Sequence, residues 1–363
     1  MPYSKIYIDG RLLGYGDKLF EEPVKRVVIK KPRVFNLLDP ISSKEKGVGW
    51  SKSSVANKGA LLRDQIDRTV KRDPEVMLKV TSKKEAGKGM KQIGSHLDYI
   101  SRNGKVELET DQGEIISTKS GIKALQEEWK QGITGKPIPE KSEHRLALNL
   151  MLSMPKGTPP DAVLTAGRAF LAETFGGKHA YAFALHTDTD KPHIHACVQV
   201  APLGKGKRLN PRKADLSRWR EQFAQQLRHI GIAANATPRR TRGVSEPSIS
   251  QTVFHLKNRL AKLTPGDSIQ TYIERNISPE FKKKLINRSI DRISKKESSF
   301  TQEIIAWSGI AKLLAGSPSI EDRALSREVS KFSVDSYQKG IGHASKIVEE
   351  NKINKRIIPR KSR

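Results

Sequence analysis

The chain has 363 residues, room for roughly two or three ordinary domains, and a formal net charge of +28 at pH 7. So large an excess of Lys and Arg predicts a polyanionic partner, nucleic acid first, because like charges on a compact body repel unless phosphates neutralise them. The single cysteine, Cys197, excludes an internal disulfide framework. No apolar run is long enough to span a bilayer, and the first residues lack the apolar core of a signal peptide, so we expect a cytoplasmic protein.

The pattern of the chain changes near residue 75. Residues 1–74 are polar and basic, and they predict a basic N-terminal arm of poorly defined structure. The apolar run over 76–80 is typical of a strand. Ile93, Leu97 and Ile100 then recur at helical spacing and predict a helix that ends near Asn103-Gly104.

Strands and amphipathic helices alternate from there to residue 243. No element is predicted over 118–142, which is polar and rich in Lys and Gly. The pattern predicts an α+β fold, a central antiparallel sheet with helices packed on it. The predicted elements are a hairpin over 105–117, a strand over 144–153, a helix over 161–175, strands over 181–185 and 194–200, and a helix over 215–230.

Beyond residue 243 the pattern becomes helical and polar, so we place a domain boundary there. Residues 75–243 are predicted to form one domain and residues 244–350 a mostly helical C-terminal region. Residues 351–363 carry six basic side chains and no acidic one, which predicts a disordered basic tail.

Three histidines, His186, His193 and His195, lie within ten residues at the junction of two predicted strands. His193 and His195 are two apart and share one face of a strand, and a tight turn would return His186 beside them. Imidazole is the commonest protein ligand for divalent transition ions, and the nearby carboxylates extend the choice to Mg²⁺ or Mn²⁺. We therefore predict a divalent metal site formed by the three histidines.

A tyrosine on the first predicted helix, Tyr99, completes a possible reaction centre. A metal, a phenol and a nucleic-acid partner together suggest phosphoryl transfer to a phenolate. A phenol with a pKa of about 10 needs help to lose its proton. Asp188 would either orient His186 or assist that proton transfer, whereas Asp190 would only shape the turn.

Basic side chains form two further candidate contacts for phosphate. One is the glycine loop that carries Lys207 and Arg208, and the other is the cluster of Arg239, Arg240 and Arg242.

Three motifs in order resemble those of the relaxases (mobilization nucleases) of conjugative plasmids, in particular those similar to the T-DNA border endonuclease. The motifs are His-Leu-Asp-Tyr-Ile-Ser-Arg-Asn-Gly-Lys over 96–105, Asn-Leu-Met-Leu-Ser-Met-Pro-Lys-Gly-Thr over 149–158, and His-Thr-Asp-Thr-Asp-Lys-Pro-His-Ile-His over 186–195. The resemblance covers residues from about 75 to 243. It implies a fold like that of the HUH endonucleases.

The resemblance also implies a role for each motif. Tyr99 would be the nucleophile, with Arg102 and Lys105 beside it on the DNA. Ser153 would help to hold DNA near the scissile phosphate, and the three histidines would bind the metal.

The function implied is a cytoplasmic bacterial enzyme that nicks one strand at a plasmid transfer origin. It would join Tyr99 to the 5′ phosphate and leave a free 3′ hydroxyl. Its partners would be single-stranded and supercoiled transfer-origin DNA, auxiliary relaxosome proteins, a coupling ATPase and a type IV secretion system. The enzyme could be exported to the recipient cell with its bound DNA, and the tail over 351–363 would form part of the export signal.

Two other functions remain open at this stage. A rolling-circle replication initiator shares the His-hydrophobe-His site but places its tyrosine after the histidines, which would point to Tyr272 or Tyr337. A non-catalytic DNA-binding accessory protein would be explained by charge alone. Tyr3, Tyr7 and Tyr15 are weaker candidates for the nucleophile, because they lack the Ser-Arg-Asn-Gly context of Tyr99.

Overall fold

The computed structural model describes residues 3–20, 52–82, 88–132, 137–242, 303–336 and Gln338. The chain divides into two compact units, residues 71–237 and residues 1–70 with 238–363. We call them the sheet unit and the helical unit. Among the described residues, no helix combines the length and apolar character needed to cross a membrane.

A six-stranded antiparallel sheet forms the centre of the sheet unit, in the strand order β1-β4-β6-β5-β2-β3. The two central strands, β6 and β5, are joined by the turn that the sequence predicts. The strands are β1 (Met77–Val80), β2 (Leu108–Thr110), β3 (Ile115–Ile116), β4 (Ala147–Ser153), β5 (Tyr181–His186) and β6 (His193–Gln199).

One face of the sheet buries large apolar side chains against helices α5 (Pro160–Phe175) and α6 (Lys213–His229). Alternate residues of a strand point to the same face, so Leu148, Leu150 and Leu152 of β4 all reach this core. The helices contribute their own apolar stripes. These stripes include Val163, Ala166, Phe170 and Leu171 of α5 and Trp219, Phe223 and Leu227 of α6, as their spacing predicts.

The opposite face carries smaller side chains and packs against helices α3 (Met90–Ile100) and α4 (Lys119–Gln131). Ala182, Ala184 and Cys197 are fully buried there. Their small size lets helix α3 approach the sheet, and Cys197 is a packing residue of this core. The predicted α+β class with a central antiparallel sheet is confirmed.

Helix α4 occupies part of the stretch in which the sequence predicts no element. Its apolar residues Ile122, Leu125 and Trp129 are buried and recur at helical spacing, a period that the polar composition of the stretch outweighed in the prediction. Thr118 begins the helix as a capping residue, since its hydroxyl accepts a hydrogen bond from the Gly121 amide.

The helical unit combines helices from residues 5–70 with helices from residues 303–336. Helices α1 (Lys5–Phe20) and α2 (Lys52–Val70) share one core with helices α7 (303–315) and α8 (320–336). Arg63 of α2 forms ion pairs with the buried carboxylates of Asp9 and Asp322. Residues 5–20 and 52–70 are therefore packed helices, where the sequence suggested an arm of poorly defined structure.

The predicted helical character of the C-terminal region is confirmed where that region is described, over 303–336. All of residues 243–302 and the whole basic tail over 351–363 lie outside the described residues. The four-part division of the chain into functional segments stays a prediction.

Helix α5 packs so closely on β6 that only a glycine fits at their contact. A Cβ atom on Gly167 would lie 2.1 Å from Cδ1 of the buried Ile194. We expect Gly167→Val to lower the free energy of unfolding by about 1–3 kcal/mol, because overpacking forces side chains or backbone to shift. Ala172→Val, on the exposed side of the same helix, should change it by less than about 0.5 kcal/mol. Urea unfolding of both variants checks this; equal stabilities would contradict the close packing.

Candidate metal-binding and catalytic site

The register of three neighbouring strands places the predicted site residues in one row. Ser153 at the end of β4 lies opposite His193 at the start of β6, and His193 lies opposite His186 at the end of β5. Directly paired residues point to the same face of a sheet. His195 follows two residues along β6, opposite Ala184, so it projects from that face as well.

The three histidine rings form a compact cluster. Their centroids are 4.9 Å apart for His186 and His195, 5.0 Å for His193 and His195, and 5.4 Å for His186 and His193. One nitrogen from each ring lies within 4.8 Å of the others. His186 and His195 are buried and His193 is partly exposed, so the cluster opens to solvent on the side of His193.

Hydrogen bonds to backbone carbonyls orient two of the rings. Nε2 of His186 lies 2.7 Å from the carbonyl oxygen of Ile100, and Nδ1 of His193 lies 3.0 Å from that of Lys191. A carbonyl only accepts, so each of these nitrogens carries the proton. The other nitrogen of each ring keeps a lone pair, and this is how metal-binding histidines are commonly oriented.

Burial keeps His186 and His195 uncharged at neutral pH. Desolvation is the main cause that lowers the pKa of His195 to about 3, with repulsion from His186 and His193 adding to it. Desolvation also lowers the pKa of His186, and the charge of Arg102 contributes in the same direction. Neutral imidazoles have lone pairs available for an ion, so protonation does not compete with binding near pH 7.

The donor set fits a divalent ion. The buried Nδ1 of His195 has no hydrogen-bond partner among the described residues, so that ring has a nitrogen left for an ion or a water. Three imidazoles with one open side correspond to a site that keeps coordination positions for substrate. His186, His193 and His195 are thus the residues that could hold a metal.

Helix α3 brings Tyr99 to the cluster from the side. The centroid of its ring is 5.7 Å from that of His195 and 6.2 Å from that of His186. Half of the tyrosine, 51%, is exposed, so a ligand at the surface can reach the phenol while the histidines behind it stay buried.

A Schellman turn ends helix α3 and fixes the backbone of Arg102, three residues after Tyr99. The amide of Asn103 donates to the carbonyl of Asp98, and the amide of Arg102 donates to that of Tyr99. Arg102, Asn103 and Gly104 have φ angles of 51°, 58° and 84°. Two consecutive residues other than glycine in the left-handed region are uncommon and cost roughly 1–2 kcal/mol each.

The side chain of Arg102 connects the tyrosine to the turn between β5 and β6. Its guanidinium carbon is 5.2 Å from the centroid of the Tyr99 ring, and one of its nitrogens, Nη2, donates to the carboxylate of Asp188. The same Nη2 is 3.5 Å from Nδ1 of His186. Asp188 therefore contacts Arg102, whereas His186 is oriented by the carbonyl of Ile100 rather than by Asp188.

His96 is a neighbour of the site to which sequence reasoning assigned no role. Its ring stacks on that of Tyr99, with centroids 6.2 Å apart, and meets the ring of His195 at 6.5 Å. Burial lowers its pKa to about 4, and its buried Nε2 has no hydrogen-bond partner among the described residues. Its spacing of three residues before Tyr99 was the one available signal, since such residues share a helix face.

The other residues that the sequence predicts for the site lie in different parts of the structure. Ser153 is buried in the histidine row, and Asp190 is exposed and paired with Lys156 at 2.8 Å. Lys105 is exposed just after the Schellman turn. Lys207 and Arg208 follow the far end of β6, away from the histidines, whereas Arg239, Arg240 and Arg242 belong to a short 3-10 helix of the helical unit.

Several known proteins are similar in sequence to about half of this chain. The T-DNA border endonuclease VirD2 of Rhizobium rhizogenes is 33% identical over 191 residues, which are 48% of this chain and 43% of that protein. VirD2 of Agrobacterium fabrum is 32% identical, over 47% of this chain and 42% of its own length. The 43 kDa relaxation protein of Salmonella typhimurium is 26% identical, over 50% and 48%.

The chain therefore spans less than half the length of each of these relatives. No solved structure matches the chain significantly. The family model of relaxases, described as MobA/VirD2-like, nuclease domain, matches residues 99–232. That match begins at Tyr99 and includes Ser153 and the three histidines, so residues 99–232 of this chain are similar to the nuclease domain of MobA/VirD2-like relaxases.

Proposed function

We propose that the chain is a DNA relaxase that nicks one strand at a plasmid transfer origin through Tyr99. The observation that carries this proposal is the position of the Tyr99 ring, within about 6 Å of two histidines of a cluster with open coordination positions. Its relatives include proteins named as a border endonuclease and as a relaxation protein.

The chemical step is a transesterification. The Tyr99 oxygen forms a bond to the scissile phosphorus, and the bond from phosphorus to the 3′ oxygen breaks. The 3′ oxygen leaves with the electron pair and takes up a proton, while Tyr99 stays joined to the 5′ phosphate. One phosphodiester replaces another, so the step needs no ATP and the strand can be resealed.

The histidine cluster would hold Mg²⁺ or Mn²⁺ through His186, His193 and His195. A bound divalent ion supplies positive charge that polarises a phosphate and stabilises the charge developing on its oxygens. Ser153 lies beside His193 in the same row and is placed to contact a phosphate held there.

Arg102 would supply the second positive charge. Its guanidinium lies over the Tyr99 ring and is held by Asp188. A cation in that position would attract the phosphate to the attacking oxygen. Asp188 then acts through Arg102 as a positioning residue.

The wider role follows from the same proposal. The substrates would be single-stranded and supercoiled transfer-origin DNA, with auxiliary relaxosome proteins, a coupling ATPase and a type IV secretion system as partners. The enzyme would act in the bacterial cytoplasm and accompany its bound strand during export, with the tail over 351–363 as part of the signal. The single-strand contacts would include Lys105 and, on the helical unit, Arg239, Arg240 and Arg242.

The first prediction concerns the nucleophile. Incubation of the protein with single-stranded origin DNA and Mn²⁺ should give an adduct that survives SDS, and Tyr99→Phe should abolish it because only the attacking oxygen is lost. Tyr272→Phe and Tyr337→Phe, at positions outside the described residues, serve as controls and should keep the adduct. Loss of the adduct with either control instead of Tyr99→Phe would favour a replication initiator, and no adduct at all would favour an accessory protein.

The second prediction concerns the metal. His193→Ala removes a ligand nitrogen, so affinity for Mn²⁺ measured by titration calorimetry should fall more than about 100-fold, beyond the 10–100-fold typical of an outer-sphere partner. Nicking should be lost with it, while salt-sensitive DNA binding persists because phosphate contacts elsewhere carry that term. His144→Ala, which removes an exposed histidine before β4, is the matched control. Unchanged Mn²⁺ affinity in His193→Ala would exclude the site.

The third prediction separates two effects of Arg102. Arg102→Ala should slow adduct formation by about 10²–10³-fold, the usual cost of losing one preorganised charge at a transition state. The same change should strengthen Mn²⁺ binding without DNA, because a cation 3.5 Å from Nδ1 of His186 is removed. Arg168→Ala, on α5, controls for the loss of one charge. A parallel fall of both quantities would mean that Arg102 only maintains the structure.

A further inference from the structure

A cavity of about 550 Å³ opens at the end of the sheet unit opposite the histidines. Helix α5, the start of α6 and the segment 207–211 form its walls. His179 lines this cavity just before β5, and His186 ends the same strand. A strand rises about 3.3 Å per residue, so the cavity and the histidine cluster are about 20 Å apart along β5.

Four cationic side chains line the cavity: Lys178, Lys207, Arg208 and Arg218. Two of them are held by neutral partners. The Lys178 ammonium donates to the carbonyls of Glu173 and Thr174, and the Arg208 guanidinium donates to that of Arg145. Lys207 forms no ion pair with any residue that the structure describes. Neutral carbonyls position a charge without neutralising it, so these three charges remain available to a ligand.

The two carboxylates in the cavity already have partners. Glu173 accepts hydrogen bonds from the amides of Gln222 and Gln226. Asp215 accepts from the backbone amide of Arg212 at the start of α6 and pairs with Arg218. The cavity therefore keeps a net positive charge, and its two carboxylates stabilise the surrounding helices through these contacts.

The floor of the cavity indicates which part of a nucleic acid would enter. Its two large aromatic side chains, Phe175 and Trp219, are buried in the main core, with exposures of 1% and 4%. They offer no exposed ring on which a base could stack. Charged donors around a closed floor suit a phosphate group rather than a base.

We propose that this cavity is a second DNA contact of the sheet unit, which binds backbone phosphates of the strand about 20 Å from the histidine cluster. The inference rests on the proposed function, since it assumes that the same strand reaches Tyr99. It assigns Lys207 and Arg208 to anchoring the strand rather than to the cleavage centre. It also adds Lys178, which the sequence did not identify as a contact.

The test compares two substrates for one variant. In Lys178→Gln/Lys207→Gln, loss of two phosphate contacts should lower the slope of log K against log salt by about 1.4 for a long single strand. A strand that ends about two nucleotides from the nick on both sides cannot reach the cavity, since one strand rises about 3.4 Å per nucleotide. On this short strand, the salt slope of the variant should match that of the unmodified protein. The variant Lys119→Gln/Lys130→Gln, on α4, removes two exposed charges outside the cavity and is the matched control.

The outcomes separate the two proposals. Equal slopes for the variant and the unmodified protein on the long strand, or equal losses on both strands, would overturn the cavity contact. Lys207→Gln alone should lower the slope by about 0.7, which keeps the test valid if the double variant unfolds. A different outcome is that the protein forms no SDS-resistant adduct at Tyr99 while the double variant still shows the expected decrease in salt slope on the long strand. That result would overturn the relaxase proposal and leave the cavity as a DNA contact.

Discussion

The antiparallel register of β4, β6 and β5 is the constraint on which the site depends. Side chains alternate along a strand, so a slip of one residue would turn every histidine of β6 toward the other face. Burial of Ile194 and Val198 on the large-residue core prevents this slip. Each contributes about 1.5–3 kcal/mol when fully buried, and a slip would lose both terms while burying imidazoles among apolar side chains. Hydrophobic packing on one face therefore positions the polar chemistry on the other.

A second constraint is the turn that ends helix α3. Arg102 and Asn103 adopt left-handed conformations there, and the cost is offset by two Schellman hydrogen bonds and by the contact of Arg102 with the Tyr99 ring. A Cβ on Gly104 would come within 2.5 Å of the backbone of Lys119. The turn is thus packed against the first residue of α4. The helix that the sequence did not predict helps to fix the direction in which the proposed nucleophile points.

The sequence predicts the histidine site well because its determinants are local. A period of two along β6 and a short turn after β5 are enough to bring His186 beside His193. The position of His96 against Tyr99 and His195 could not be derived in this way, because it depends on how α3 crosses the sheet. The helix over 5–20 was missed although its buried residues Ile8, Leu12 and Leu19 recur at helical spacing, because three glycines at 10, 14 and 16 weaken the helical signal.

The charge of the chain likewise does not show where in the fold a contact lies. A net charge of +28 predicts a polyanionic partner but does not locate the contact. Lys207 and Arg208 follow the histidine strand closely in sequence, yet β6 carries them to the opposite end of the sheet. Proximity along the chain is a poor guide to proximity in space wherever a strand intervenes.

The contrast in exposure at the site explains how a strand could reach it. The Tyr99 ring is half exposed, whereas His186 and His195 are buried behind it with lowered pKa values. The neutral imidazoles of His186 and His195 contribute no charge, so attraction for a phosphate near pH 7 would depend on Arg102, on lysines such as Lys105 and on an ion held by the cluster. A scissile phosphate would then approach from the open side of α3 and meet the phenol and the guanidinium before the cluster. The burial that suits the histidines to bind an ion would thus make the exposed end of α3 the place where a DNA strand is first engaged.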